Sequence, residues 1–160
     1  MEKDLAAVSQ DAVGNSFLAA VAEIPGAVVL AVGPPSCMRC LYFSFYQQKA
    51  EEYLFLLPLK TEEFAAGLQV SLAEESIREI IREYSVRAVL VCTSCVDVLA
   101  STGYRAMGRR LEKETGVFID ILDRGPLSVG KITQKERFLE IRKKWLEKLS
   151  AAGTSGEEDL

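Results

Sequence analysis

Ala27-Val28-Val29-Leu30-Ala31-Val32 is an unbroken apolar run, closed by Gly26 before it and by Gly33-Pro34-Pro35 after it. A strand with one face in water alternates apolar and polar residues. An unbroken run rich in β-branched side chains instead marks a strand covered on both faces, as in a parallel sheet. The segment is expected to be a central strand. Further runs of the same kind follow at residues 53–57 (Tyr-Leu-Phe-Leu-Leu, before Pro58), 86–91 (Val-Arg-Ala-Val-Leu-Val) and 117–121 (Val-Phe-Ile-Asp-Ile). The first two of these are read as buried strand and third strand, and the last as a fourth.

Helical patterns separate the strands. Residues 5–24 carry Leu5, Val8, Ala12, Phe17, Leu18 and Val21 at helical spacing and stop at Pro25-Gly26, which predicts one helix with a break near Gly14. Residues 41–52, aromatic and then polar, predict another. Ser71-Leu72-Ala73-Glu74 has the form of a capping box, with Ile77, Ile80, Ile81 and Tyr84 on one face of the helix it opens. Tyr104, Met107 and Leu111 define a helix ending at Gly116, and Thr133-Gln134-Lys135-Glu136 opens a last one with Phe138, Ile141, Trp145 and Leu149 on its apolar face. Strands alternating with helices predict an α/β, Rossmann-like three-layer domain: a mainly parallel sheet of about four strands with helices on both faces. One such domain is expected over residues 1–150, followed by a flexible acidic tail at 151–160.

The chain has 160 residues, 49% of them hydrophobic, which is room for one core. A net charge of -4 gives no electrostatic attraction to nucleic acid or anionic lipid. No apolar run approaches the roughly 20 residues of a membrane span, so a cytoplasmic protein is expected. There is no histidine. That removes Ser-His-Asp triads, Cys-His pairs and imidazole metal sites, and leaves metal chemistry to cysteine.

The four cysteines form two CxxC pairs, Cys37-Met38-Arg39-Cys40 and Cys92-Thr93-Ser94-Cys95. Each pair lies at or just after the carboxyl end of an expected buried strand, where ligands collect in open α/β sheets. Two CxxC loops from neighbouring strands supply the four soft ligands of an iron-sulfur cluster or a zinc ion, with Cys37, Cys40, Cys92 and Cys95 as ligands. Zinc ranks second, because its paired CxxC sites usually sit in short knuckles. Two other readings remain open. Cysteine is often buried as a small hydrophobe, and Cys92 could end its strand facing inward. A thioredoxin-like dithiol accounts for one pair but not for two.

Neighbouring residues are candidates for supporting roles. The Gly33-Pro34-Pro35-Ser36 loop offers amides to cluster sulfurs, and Arg39 would offset cluster charge. Tyr42, Phe43, Phe45 and Tyr46 are read as core, as a cluster shield or as a subunit contact. Asp97 and Asp120 are polar candidates near the same sheet end, in capping or solvated roles, and Thr102-Gly103 is a weak anion-site candidate.

In order of elements, from the strand and GPPSC through Thr61-Glu62-Glu63-Phe64, SLAEESIREIIREY, VRAVLV and CTSC to VFIDIL, the chain resembles the first domain of the nitrogenase component 1 family. That family includes molybdenum-iron protein subunits, cofactor-assembly scaffolds and dark-operative protochlorophyllide reductase subunits. The resemblance spans residues 26–122. It matches Cys37 to the cysteine of a Gly-Pro-x-Gly-Cys loop and Cys95 to a later cluster ligand near a subunit interface. The chain departs from the family in lacking cysteine between residues 41 and 91, in Ser36 replacing a glycine, in Leu99-Ala100-Ser101-Thr102 replacing a Gly-Asp-Asp segment, and in having no further Rossmann-like domains.

The resemblance implies an iron-sulfur protein, 4Fe-4S by preference, working in electron transfer or in cluster or cofactor handling. It further implies a homodimer or hetero-oligomer, with an ATP-dependent iron protein as reductase. The cluster would lie within one chain if all four cysteines ligate it, or bridge subunits if Cys37 and Cys95 alone do. A non-catalytic assembly module with a structural four-cysteine metal site and a CxxC thiol oxidoreductase are the alternatives. No catalytic residue is identified.

Overall fold

A computed structural model describes residues 16–100, 102–124 and 133–158. A short 3-10 helix, Ser16–Glu23, leads into β1 (Ala27–Gly33). Then follow α1 (Pro35–Gln47), β2 (Leu54–Pro58), α2 (Thr61–Ala65), α3 (Gln69–Glu83) and β3 (Ala88–Cys92). The chain continues through α4 (Cys95–Ala100), α5 (Tyr104–Thr115), β4 (Phe118–Leu122) and α6 (Gln134–Glu158). The four strands form one sheet in the order β2-β1-β3-β4, parallel throughout. The architecture is the expected three-layer α/β, Rossmann-like fold.

Alternation along each strand divides the core in two. Val29, Ala31, Leu90, Cys92 and Leu122 face the layer made by the 3-10 helix, α1 and α6, where Leu18, Leu41, Phe45, Phe138 and Trp145 pack. Val28, Leu30, Val32, Val89, Val91, Ile119 and Ile121 face α3 and α5, packing on Ile77, Ile80, Met107 and Leu111. All seven residues of β1 and all five of β3 are buried, as unbroken apolar runs require. Gly116 closes α5 in a left-handed conformation (φ 75°) with its N–H on the Glu112 carbonyl.

Several expectations are corrected. β2 is an edge strand, its Leu56 41% exposed, because β1 pairs it on one side and no described strand pairs it on the other. The helix expected at 41–52 begins earlier, at Pro35, since a proline suits the first helical position, where its missing N–H and fixed φ cost nothing. Of the helix expected at 5–24, residues 16–23 form a 3-10 helix, Ile24 lies just past its end, and residues 5–15 lie outside the described residues.

Ser71-Glu74 is not a capping box. α3 already starts at Gln69, the Ser71 hydroxyl donates to the Leu68 carbonyl at 3.1 Å, and Glu74 is engaged by Arg78 and Arg110. A carboxylate cap forms instead one helix earlier, at the start of α2, where the Lys60 N–H donates to Glu63 Oε1 at 2.8 Å. The Thr133-Glu136 box is as expected: the Thr133 N–H donates to Glu136 Oε2 at 2.9 Å and the Glu136 N–H to Thr133 Oγ1 at 3.1 Å. α6 continues past residue 150 to Glu158. No helix among the described residues is long and apolar enough to cross a membrane.

Candidate functional site

The chain leaves β1 toward β2 on one side of the sheet and later places β3 on the other, so strand order reverses between β1 and β3. Loops leaving the carboxyl ends of two such strands part to opposite faces and open a crevice between them. Both CxxC pairs sit here. β1 ends at Gly33 and α1 opens two residues later; β3 ends at Cys92 and α4 opens at Cys95. Ala31 pairs with Cys92 in register, which brings the two loops side by side. A Cβ built on Gly33 (φ 154°) would stand 3.0 Å from Ser94 Cβ and 3.2 Å from Ser94 Oγ.

The four cysteines have different surroundings. Cys37 and Cys40 are both exposed, one helical turn apart at the start of α1. Met38 and Leu41, buried between and after them, hold that turn against the body of the protein. Cys92 is wholly buried among the apolar residues of the layer made by the 3-10 helix, α1 and α6, and loss of hydration pushes its thiol up to about 12, only partly opposed by the nearby charge of Arg124. It stays a neutral thiol and packs as a small hydrophobe. Cys95 is half-buried, its thiol donating to the Arg124 carbonyl at 3.7 Å.

These positions test the fit of a four-cysteine metal group to a single chain. No group of three or more Cys, Asp or Glu side chains among the described residues could hold a metal ion, and Cys92 is wholly buried. Among the described residues the four thiols do not form one such group. Of the four cysteines, Cys37 and Cys40 are the two with exposed thiols.

The second loop is fastened by Asp97, a buried carboxylate that sequence reading placed only as a cap or a solvated group. It accepts from the Ser94 N–H at 3.4 Å, the Ser94 hydroxyl at 3.2 Å, the Thr102 hydroxyl at 3.1 Å and the Tyr104 hydroxyl at 3.0 Å. Burial, and then the adjacent Asp97 charge, raise the Tyr104 phenol far above its ordinary value. Tyr104 is a fixed donor there. The Thr102 hydroxyl is thus engaged by Asp97.

Asp120 lies in mid-strand opposite Leu90, away from the sheet end, and ties β4 to α6 by accepting from Lys144 Nζ at 2.6 Å and Trp145 Nε1 at 2.7 Å. Sequence reading did not single out Thr93, Asp123 or Arg124. The Thr93 hydroxyl donates to Asp123 Oδ1 at 2.9 Å, Arg105 pairs with Asp123 Oδ2 at 2.9 Å, and Arg124 Nε is buried without a hydrogen-bond partner among the described residues. The signal was available: Asp123-Arg124 follows directly on the last residue of β4.

Of the aromatic residues on α1, Phe45 alone is core. Tyr42, Phe43 and Tyr46 are 41, 52 and 58% exposed. Tyr42 stacks on Tyr46 at 6.2 Å and meets the Phe43 ring edge-on at 6.1 Å, so the three form one solvent-facing cluster on the helix that carries Cys37 and Cys40. No known protein family matches the chain, and no curated protein matches it either.

Proposed function

We propose that the chain is a cytoplasmic iron-sulfur protein in which one 4Fe-4S cluster is held between two copies, by Cys37 and Cys40 of each. The observation that carries the reading is the exposure of both thiols on one turn of α1 beside the reversal of strand order. Two such pairs, related by a two-fold axis, make up a four-thiolate set. The bound cluster would supply single-electron transfer.

The protein's part is to hold the ligands and set their surroundings. Met38 and Leu41 fix the ligand turn from beneath. Arg39, exposed between the two cysteines, brings a positive charge that favours the more negative, reduced state. Tyr42, Phe43 and Tyr46 give a second copy apolar surface to cover. In this reading Cys92 and Cys95 are structural. The family resemblance adds an ATP-dependent iron protein as the electron donor.

Anaerobic purification followed by iron, sulfide and zinc analysis tests the proposal. About four irons and four sulfides per two chains are expected, lost in Cys37→Ser and Cys40→Ser and kept in Cys95→Ser. Zinc alone would make the site structural, and the absence of metal from chain never exposed to air would overturn the reading.

A further inference from the structure

The objection to a dithiol, that it explains one CxxC pair and leaves the other idle, is removed by the structure. Cys92 is packed in the core as an un-ionised thiol and Cys95 is turned to the Arg124 carbonyl. The second pair has a structural role, so only the first needs a chemical one. We propose that Cys37 and Cys40 interconvert between a dithiol and a disulfide within one chain by exchange with low-molecular-weight disulfides such as glutathione disulfide.

Geometry supports the closure. Residues three apart in a helix have Cβ atoms about 5–6 Å apart, and a disulfide brings them to about 4 Å. The adjustment falls in the first turn of α1, where the Cys37 N–H already bonds the Pro34 carbonyl three residues back, at 3.0 Å, in the tighter 3-10 manner. Both side chains are in solvent, so closing the bond displaces no core residue, while Met38 and Leu41 keep the turn seated.

The chemistry balances in two displacements. One cysteine thiolate attacks a sulfur of glutathione disulfide, breaking that bond, forming a mixed disulfide and releasing one glutathione thiolate. The second cysteine thiolate attacks the protein sulfur of the mixed disulfide and releases the other. The dithiol loses two electrons and two protons, and the oxidant becomes two glutathione thiols. The exchange needs neither iron nor a second copy. One consequence does rest on the cluster reading: the same two thiols cannot be both bonded to each other and bound to iron, so oxidation would block cluster loading.

Arg39 makes the test direct, because trypsin cuts between the two cysteines. Metal-free full-length chain is equilibrated with glutathione disulfide, alkylated and digested. The expected product is peptide 4–39 joined by a disulfide to peptide 40–49, from chain that runs as a monomer without reductant and has an intact mass about 2 Da lower, two hydrogens having left. Excess glutathione should reverse it. Cys37 and Cys40 recovered as separate alkylated or glutathionylated residues, or joined only between two chains, would overturn the proposal. The assay contains no iron, so its failure would leave the cluster reading standing on metal analysis, and failure to find metal would leave this one standing.

Discussion

Gly33 and Ser94 occupy the same narrow space: a Cβ on Gly33 would come within 3.0 Å of Ser94 Cβ. That contact joins the loop bearing Cys37 to the loop bearing Cys95, and the Gly33 φ of 154° is one that side chains rarely adopt. Gly33→Ala is expected to destabilise the fold by about 1–3 kcal/mol and to loosen both loops. Urea unfolding measures the first effect, and hydrogen exchange at residues 34–37 and 93–95 the second. An unchanged midpoint would show that the loops do not depend on each other.

Thiol reactivity should follow exposure. In the folded, metal-free chain a small alkylating agent is expected to modify Cys37 and Cys40 first, Cys95 more slowly, and Cys92 only on unfolding, since its thiol is buried and pushed up to about 12. Timed alkylation with peptide mapping reads this order. Early labelling of Cys92 would contradict the packing described for it.

Removing the Asp97 carboxylate leaves the Tyr104 hydroxyl and the Ser94 donors buried without their acceptor. Asp97→Ala should cost about 2–3 kcal/mol, and Tyr104→Phe, which removes one donor and leaves the carboxylate its others, about 1 kcal/mol. Denaturant unfolding of the two variants checks both values and their order.

Acid should weaken the tie between α3 and α5. Arg110 donates to Glu74 Oε1 and Oε2 at 2.7 and 2.8 Å, and Arg78 adds a third bond at 3.0 Å. The Arg110 hydrogen bonds lead in holding the Glu74 carboxyl down, from 4.5 to about 2. A folded value below the unfolded one means the contribution is present above pH 4.5 and is lost as pH falls toward 2. Both partners are solvent-accessible, so its size is at most about 1 kcal/mol and falls with added salt. Unfolding of Glu74→Gln as a function of pH should show a shallower acid limb than the parent chain.

The strands were legible because they are unbroken apolar runs. β1, β3 and β4 lie within one or two residues of where residues 27–32, 86–91 and 117–121 put them. The exposure of β2 was not legible, since an apolar run does not show whether a neighbouring strand will cover its outer side. Glu74 was misread because a local pattern cannot reveal a partner such as Arg110, 36 residues away. At the site, sequence placed both cysteine pairs correctly at the carboxyl ends of adjacent strands. The burial of Cys92 was not legible, because spacing does not show which way a strand-ending side chain points. Strand alternation accounts for it: Cys92 follows Leu90 by two residues and shares its face of the sheet.

Native mass spectrometry of the anaerobically purified chain tests the central claim most directly, since it reads cluster content and copy number in one spectrum. A species of two chains carrying about four irons and four sulfides, separating into metal-free single chains when Cys40 is replaced by Ser, is the predicted result. A single chain carrying the cluster alone, or a population free of metal in every charge state, would contradict the assignment of Cys37 and Cys40 as half of a shared site.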